Sequence, residues 1–194
     1  MHAALAALLD NELVILSLGA SVDEWYNAAP HMRQASLFQQ QLGCVTPQAF
    51  GLAVGLPHRR IISLDTDGGM LFNLGILATL GNERPHNLFT VVWDNECYQS
   101  IGGPPTHTAH GNVDIAAIAR GAGVEKSYTA TTLDDFEKTL RGRARGRRTV
   151  CARREGFEHR PARHQAQAQR RARGQVHLRP PRGGDGEHHD HGSQ

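Results

Sequence analysis

Three short apolar runs organise the first half of the chain: 13–18 (LVILSL), 61–64 (IISL) and 88–93 (LFTVVW). Each is continuous rather than alternating, which is the pattern of a strand buried on both faces of a parallel sheet. Stretches of helical length follow at 47–55, 70–80, 113–120 and 133–140, with Thr131 or Thr132 placed to cap the last of them. Residues 1–9 (MHAALAALL) read as a first helix and 124–129 as a further short strand. Strands and helices therefore alternate along the chain. That order predicts an α/β fold built on a doubly wound parallel sheet.

Two of the apolar runs end in polar turns with chemical potential. The run at 61–64 leads into Asp67-Gly68-Gly69, and the next ends at Asp94-Asn95. A helix beginning after such a turn points unpaired N–H groups and the positive end of its dipole at the strand end, an arrangement that suits phosphate. Glycine there lets an anion approach the backbone without meeting a Cβ. Asp67 adds a hard oxygen ligand of the type taken by Mg²⁺ or Ca²⁺. Right-handed crossovers bring the C-terminal ends of neighbouring parallel strands to one edge, so Asn95 is expected to reach an ion held by Asp67.

The spacing of Asp67-Gly68 and Asn95, 28 positions apart, resembles the GDG…NN signature of thiamine diphosphate enzymes. The longer run DGGMLFNLGILATLGNERPHNLFTVVWDNECYQSIGGPPTHT is similar to the cofactor-binding half of sulfopyruvate and phosphonopyruvate decarboxylases, and the likeness covers roughly residues 10–140. The resemblance implies that Asp67, the Asn95 side chain and the Cys97 backbone carbonyl bind Mg²⁺, and that Gly68 and Gly69 offer N–H groups to the diphosphate. The segment 41–57 (QLGCVTPQAFGLAVGLP) aligns with the family's GSMG-type segment. This puts Leu42 where an apolar residue props the cofactor into its bent shape, and Gln40 where a backbone carbonyl meets the aminopyrimidine. Ser100, Ile101, Thr106, His107 and Thr108 are then the candidates for the substrate side. Thr66 stands where the family has its first glycine, and its side chain is expected to crowd the turn.

At 194 residues the chain fills one domain of ordinary size. Members of the family need a second, pyrimidine-binding module that supplies a glutamate to the aminopyrimidine. No motif for it is present, and Glu12, Glu24 and Glu83 lie near the ends of this module's own elements. The resemblance thus implies a hetero-oligomer in which a separate pyrimidine-binding (alpha) subunit provides the catalytic glutamate, with no catalytic residue in this chain. It further implies decarboxylation of a 2-oxo acid bearing a sulfonate or phosphonate. An acetolactate-synthase-like carboligase subunit and a degenerate, non-catalytic subunit are the alternatives.

Three cysteines without a CxxC pair fit a reducing, cytoplasmic compartment, and no signal peptide or membrane-spanning run is present. The formal net charge of +2 conceals a split. Residues 142–194 hold most of the arginines and half of the histidines but few large apolar residues, so the division expected is a cofactor-binding domain over 1–141 and a disordered or poorly packed tail over 142–194. The tail reads either as an arginine-rich arm or as a frameshifted stretch, since its Arg, Ala, Gly, Pro and His content is that of a GC-rich gene read out of frame. With Phe157 as its sole aromatic it lacks a stacking surface, so nucleic acid is not an expected partner.

Overall fold

In the computed structural model, which describes residues 1–141 and the backbone of Arg148–Arg153, the apolar runs assemble into one parallel sheet. The strands are β1 (Leu13–Leu16), β2 (Ser36–Phe38), β3 (Ile61–Thr66), β4 (Leu88–Asp94), β5 (Ser127–Ala130) and β6 (Arg148–Arg153). Their spatial order is β2-β1-β3-β4-β6-β5, and every pairing is parallel. The chain leaves β1 toward β2 on one side and returns to lay β3 on the other. The β1/β3 boundary is therefore a topological switch point, and the doubly wound sheet expected from the sequence is the fold observed.

Alternate residues of β1, β3 and β4 feed two separate cores. On one face Val14, Leu16, Ile62, Leu64 and Val91 pack with Leu5 and Ala6 of α1 (His2–Ala6), Trp25 of α2 (Ala20–Ala28), and Phe136 and Leu140 of α7 (Leu133–Arg141). On the other, Ile15, Ile61, Leu88 and Val92 meet α3 (Val45–Gly55), α5 (Gly75–Glu83) and α6 (Ile115–Gly121). This three-layer arrangement explains why the central strands read as unbroken apolar runs. Thr132 Oγ1 accepts from Asp135 N–H (3.1 Å), which decides between the two candidate caps of α7, and Asp114 Oδ1 accepts from Ala117 N–H (3.0 Å) at α6.

Several elements differ from the sequence expectation. The stretch 70–80 is two helices, α4 (Asp67–Phe72) and α5, separated at Asn73. The Asn73 side chain leaves the helix to donate to the Gly43 carbonyl (3.1 Å), and Asn and Gly are weak helix formers, so the break costs little. Between β1 and α3 the chain also builds α2, a 3₁₀ turn over Pro30–Ala35 and the edge strand β2, whose Leu37 and Phe38 remain exposed.

The sheet also continues past residue 141, where the sequence reading ended the domain, because Arg148–Arg153 enters between β4 and β5. The rest of the Arg/His-rich stretch, 142–147 and 154–194, lies outside the described residues, and so do the expectations placed on it. Among the described residues no helix is long and apolar enough to cross a membrane, and Cys44 and Cys97 are free thiols.

Candidate functional site

A cavity of about 400 Å³ opens at the carboxyl ends of the strands flanking the switch point, where ligands of open α/β sheets bind. The segment after β1 contributes Leu18, Gly19 and Ser21, the end of β3 and the turn after it contribute Thr66 and Gly68, and the segment after β4 contributes Asn95, Cys97, Tyr98 and Ser100. Leu42 forms part of the wall, and His2, Glu24 and Trp93 close another side.

Asp67 and Asp94 stand beside this cavity as two buried carboxylates, 0% and 6% exposed. Burial, reinforced by the neighbouring charge of Asp94 and opposed by hydroxyl donors, pushes the Asp67 carboxyl up to about 6. Asp67 Oδ1 faces the Asn95 amide, one end of which lies 3.2 Å from it and 2.8 Å from the Cys97 carbonyl. A nitrogen in that place donates to both oxygens. An oxygen there makes three acceptors face one another, with the amide nitrogen then 3.4 Å from Gln99 Oε1 and the oxygen 3.3 Å from the Cys97 N. Neighbouring ligands around an octahedral Mg²⁺ at ~2.1 Å stand about 3 Å apart, so three converging oxygens fit a shared cation. Among the described residues no three His, Cys, Asp or Glu side chains form such a set, which makes the mixture of carboxylate, amide and backbone carbonyl the notable donor group. The Cys97 thiol is pushed up by burial and by the charges of Asp67 and Glu96, the reverse of what a nucleophile needs.

A third carboxylate, missed in the sequence, lies beneath this turn. Asp65 is 1% exposed on the α3 face of β3, where Thr46 Oγ1 donates to its Oδ2 (2.8 Å) and Thr66 N–H to its Oδ1 (2.9 Å). The Thr46 and Ser63 hydroxyls are 2.9 Å apart and extend the network. Burial pushes the Asp65 carboxyl up to about 6, against the lowering effect of these donors. The folded chain thus keeps its proton above the usual carboxylate range. Stability from this group is complete below about pH 4, declines as the unfolded chain ionises first, and is fully lost above about pH 6. Asp65→Asn is expected to gain up to about 3 kcal/mol over the parent at pH 8 and nothing at pH 3.5, read by chemical denaturation at the two pH values. An equal difference at both would mean that Asp65 ionises in the fold without cost.

Other residues singled out in the sequence take mixed places. Leu42 lines the cavity, whereas Gln40 is exposed and absent from its wall. A Cβ on Gly68 would strike the Tyr98 ring, and one on Gly69 the Asp65 carboxylate, so both glycines answer to close packing. Gly69 N–H is moreover taken by Thr66 Oγ1 (3.1 Å). Thr66 does not crowd the turn. It sits in extended backbone (φ −113°) and serves as the N-cap of α4. The first turn of α2, after Gly19 at φ 101°, carries no side-chain cap and borders the cavity. The Gly-Ala-Ser that follows the first apolar run was the available signal for it.

On the substrate side, Ser100 lines the cavity, while Ile101 (73% exposed) and His107 lie at the surface outside its wall. Thr106 and Thr108, expected on the substrate side, are each 1% exposed behind the carboxylates. The chain turns back through a Cys97–Pro105 bridge, and that return carries both hydroxyls inward. His2 is half-stacked on Trp93, centroids 4.4 Å apart, with Nδ1 3.3 Å from Glu24 Oε2. Burial, with the neighbouring charge of the N-terminus, lowers His2 to about 4.

Comparison with known proteins places this geometry. The chain is 31% identical over 132 residues to the sulfopyruvate decarboxylase β subunit of Methanocaldococcus jannaschii, covering 68% of each chain. Identity is 33% over 136 residues to the corresponding subunit of Methanothermobacter thermautotrophicus, covering 70% of this chain and 71% of that one. Phosphonopyruvate decarboxylase of Streptomyces viridochromogenes matches at 32% over 136 residues, 70% of this chain and 33% of the relative. A solved structure assigned as a thiamin diphosphate-dependent enzyme from Mycobacterium smegmatis shares the fold, with a TM-score of 0.64 at 18% identity over 79% of this chain and 30% of that one. A family model runs from Gly19 in the cavity wall to Cys151 within β6, so it takes in the cavity-lining ends of β3 and β4 and the late strand. By that match the chain belongs to the thiamine pyrophosphate enzymes, as their C-terminal TPP-binding domain.

Proposed function

We propose that this chain is the thiamine diphosphate- and Mg²⁺-binding subunit of a 2-oxo acid decarboxylase acting on a 3-sulfo- or 3-phosphonopyruvate-type substrate. The observation that carries the reading is the convergence of Asp67 Oδ1, the Asn95 amide and the Cys97 carbonyl at adjoining strand ends, in a chain about one-third identical to sulfopyruvate decarboxylase β subunits. Those three groups would hold Mg²⁺, with the Asn95 oxygen turned inward. A cation held there would offset the repulsion between the two buried carboxylates and would supply positive charge for a diphosphate. The uncapped start of α2 offers N–H groups to that anion, in place of Gly69, whose N–H is engaged. Leu42 supplies an apolar wall and Ser100 a polar one. When bound, thiamine diphosphate supplies the electron sink for loss of CO₂.

A separate pyrimidine-binding subunit completes the enzyme in this reading. Glu12 is tied to Arg60 (2.8 Å) and to the N–H groups of Asp10 and Asn11, Glu24 is paired with His2, and Glu83 is exposed at the end of α5. The activating glutamate is therefore assigned to the partner. The same holds for the reader of the sulfonate or phosphonate, a role natural to Arg. Arg59 donates to Asn11 O, Arg84 to Gly81 O and Arg120 to Ser127 O, while Arg33 lies over Tyr26. None of these, nor Arg60, lines the cavity. The compartment proposed is the cytoplasm.

Co-expression with a pyrimidine-binding subunit from the same genome tests the reading. CO₂ release from sulfopyruvate or phosphonopyruvate is expected only when both chains, thiamine diphosphate and Mg²⁺ are present. A soluble two-chain complex that releases none from either substrate would overturn it.

A further inference from the structure

We propose that Thr106 and Thr108 are positioning residues that select which oxygen of Asp67 faces the cation site, by holding the opposite oxygen from behind. The proposal rests on the reading that Asp67 holds a cation. Thr106 Oγ1 donates to Asp67 Oδ2 at 2.6 Å, and Thr108 Oγ1 lies 3.4 Å from the same oxygen. Thr108 Oγ1 also donates to Asp94 Oδ1 at 2.7 Å, and the two hydroxyls are 2.9 Å apart. All four side chains are buried. The two oxygens of Asp67 are divided: Oδ2 accepts from Thr106, with Thr108 behind it, and Oδ1 faces Asn95 and the Cys97 carbonyl.

The backbone makes this arrangement rigid. Thr106 N–H donates to Glu96 O (3.0 Å) and Tyr98 N–H to Pro104 O (2.8 Å), closing the loop between Asn95 and Thr106. The outgoing leg of that loop presents Asn95 and Cys97, and its returning leg presents the threonines. Asp67, from the neighbouring strand, is thus gripped between the two legs. Without the hydroxyls its carboxylate is free to rotate about χ2 and offer neither oxygen in fixed register. Hydrogen bonds that orient a ligating carboxylate typically change metal affinity 10–100-fold when removed.

The test is Mn²⁺ titration of the full chain by electron paramagnetic resonance, with thiamine diphosphate present and Mn²⁺ standing in for Mg²⁺. Thr106→Val is expected to weaken Mn²⁺ binding about 10- to 100-fold. Thr106→Ser, which restores the hydroxyl and lacks the methyl, is expected to stay within about threefold of the parent. Thr108→Val should lose less than Thr106→Val, because its short bond goes to Asp94. Should the valine variant not fold, Thr106→Ala carries the same expectation without placing a methyl against the carboxylate. Parent-like binding by the hydroxyl-free variant would overturn the proposal, and so would equal losses in the Ser and Val variants, which would point to methyl packing. A parent chain that takes up no Mn²⁺ would instead remove the cation reading, and this proposal with it.

Discussion

Asp67→Ala is expected to abolish cation-dependent thiamine diphosphate binding, weakening it by about three orders of magnitude, or about 4 kcal/mol, the scale of losing a charged partner from a buried site. The carboxylate supplies the one formal negative charge among the three converging oxygens, and the amide and carbonyl that remain are neutral. The same substitution should leave the cation-free chain as stable as the parent or more so. Burial and Asp94 hold the Asp67 carboxyl up to about 6, so its charge is costly to the empty fold at neutral pH. Calorimetric titration of thiamine diphosphate with and without Mg²⁺, beside a thermal melt, separates the two effects. Binding retained within threefold in the variant would remove Asp67 from the cofactor site.

Trp25→Ala is expected to cost about 3–5 kcal/mol, the range for deleting a large buried aromatic, against a total that for most domains is about 5–15 kcal/mol. Trp25 is 0% exposed in the core between α2 and the sheet, and its Nε1–H donates to Ser36 Oγ at 3.0 Å. Ser36 Oγ in turn donates to Met32 O at 2.8 Å, so the indole ties helix, turn and edge strand together. Removal leaves a cavity and frees that corner of the sheet. Chemical denaturation measures it, and a loss below about 1.5 kcal/mol would show that α2 and β2 unfold independently of the core.

Much of the site was legible in the sequence because its members are tied to local signals. Asp67 and Asn95 each follow an unbroken apolar run, and two parallel neighbours cannot avoid bringing such ends together. The Cys97 carbonyl, two residues beyond Asn95, was implied by the family resemblance alone. Other members carry no local mark. Asp65 continues an apolar strand with a charge, and only its burial beneath Thr46 shows that it is held there at a cost. Thr106 and Thr108 look like loop residues in a Gly-Pro-Thr segment until the loop closure at Cys97 and Pro105 turns them inward. The short strand β2 has two exposed apolar residues and no alternation to detect.

The sequence by itself determined where apolar runs make the central buried strands, that the last helix starts at Thr131-Thr132, and which acidic turns lie at strand ends. These depend on neighbours within a few residues, so local physics suffices. The tertiary structure alone decided that Arg148–Arg153 is an interior strand, since a segment of that composition gains its place from two partners already aligned on either side. It alone decided that Thr66 caps α4 rather than crowding it, and that one oxygen of Asp67 is held by a hydroxyl 39 positions away while the other faces Asn95 and the Cys97 carbonyl. Such assignments are set by chain closure and burial, and those are properties of the assembled fold.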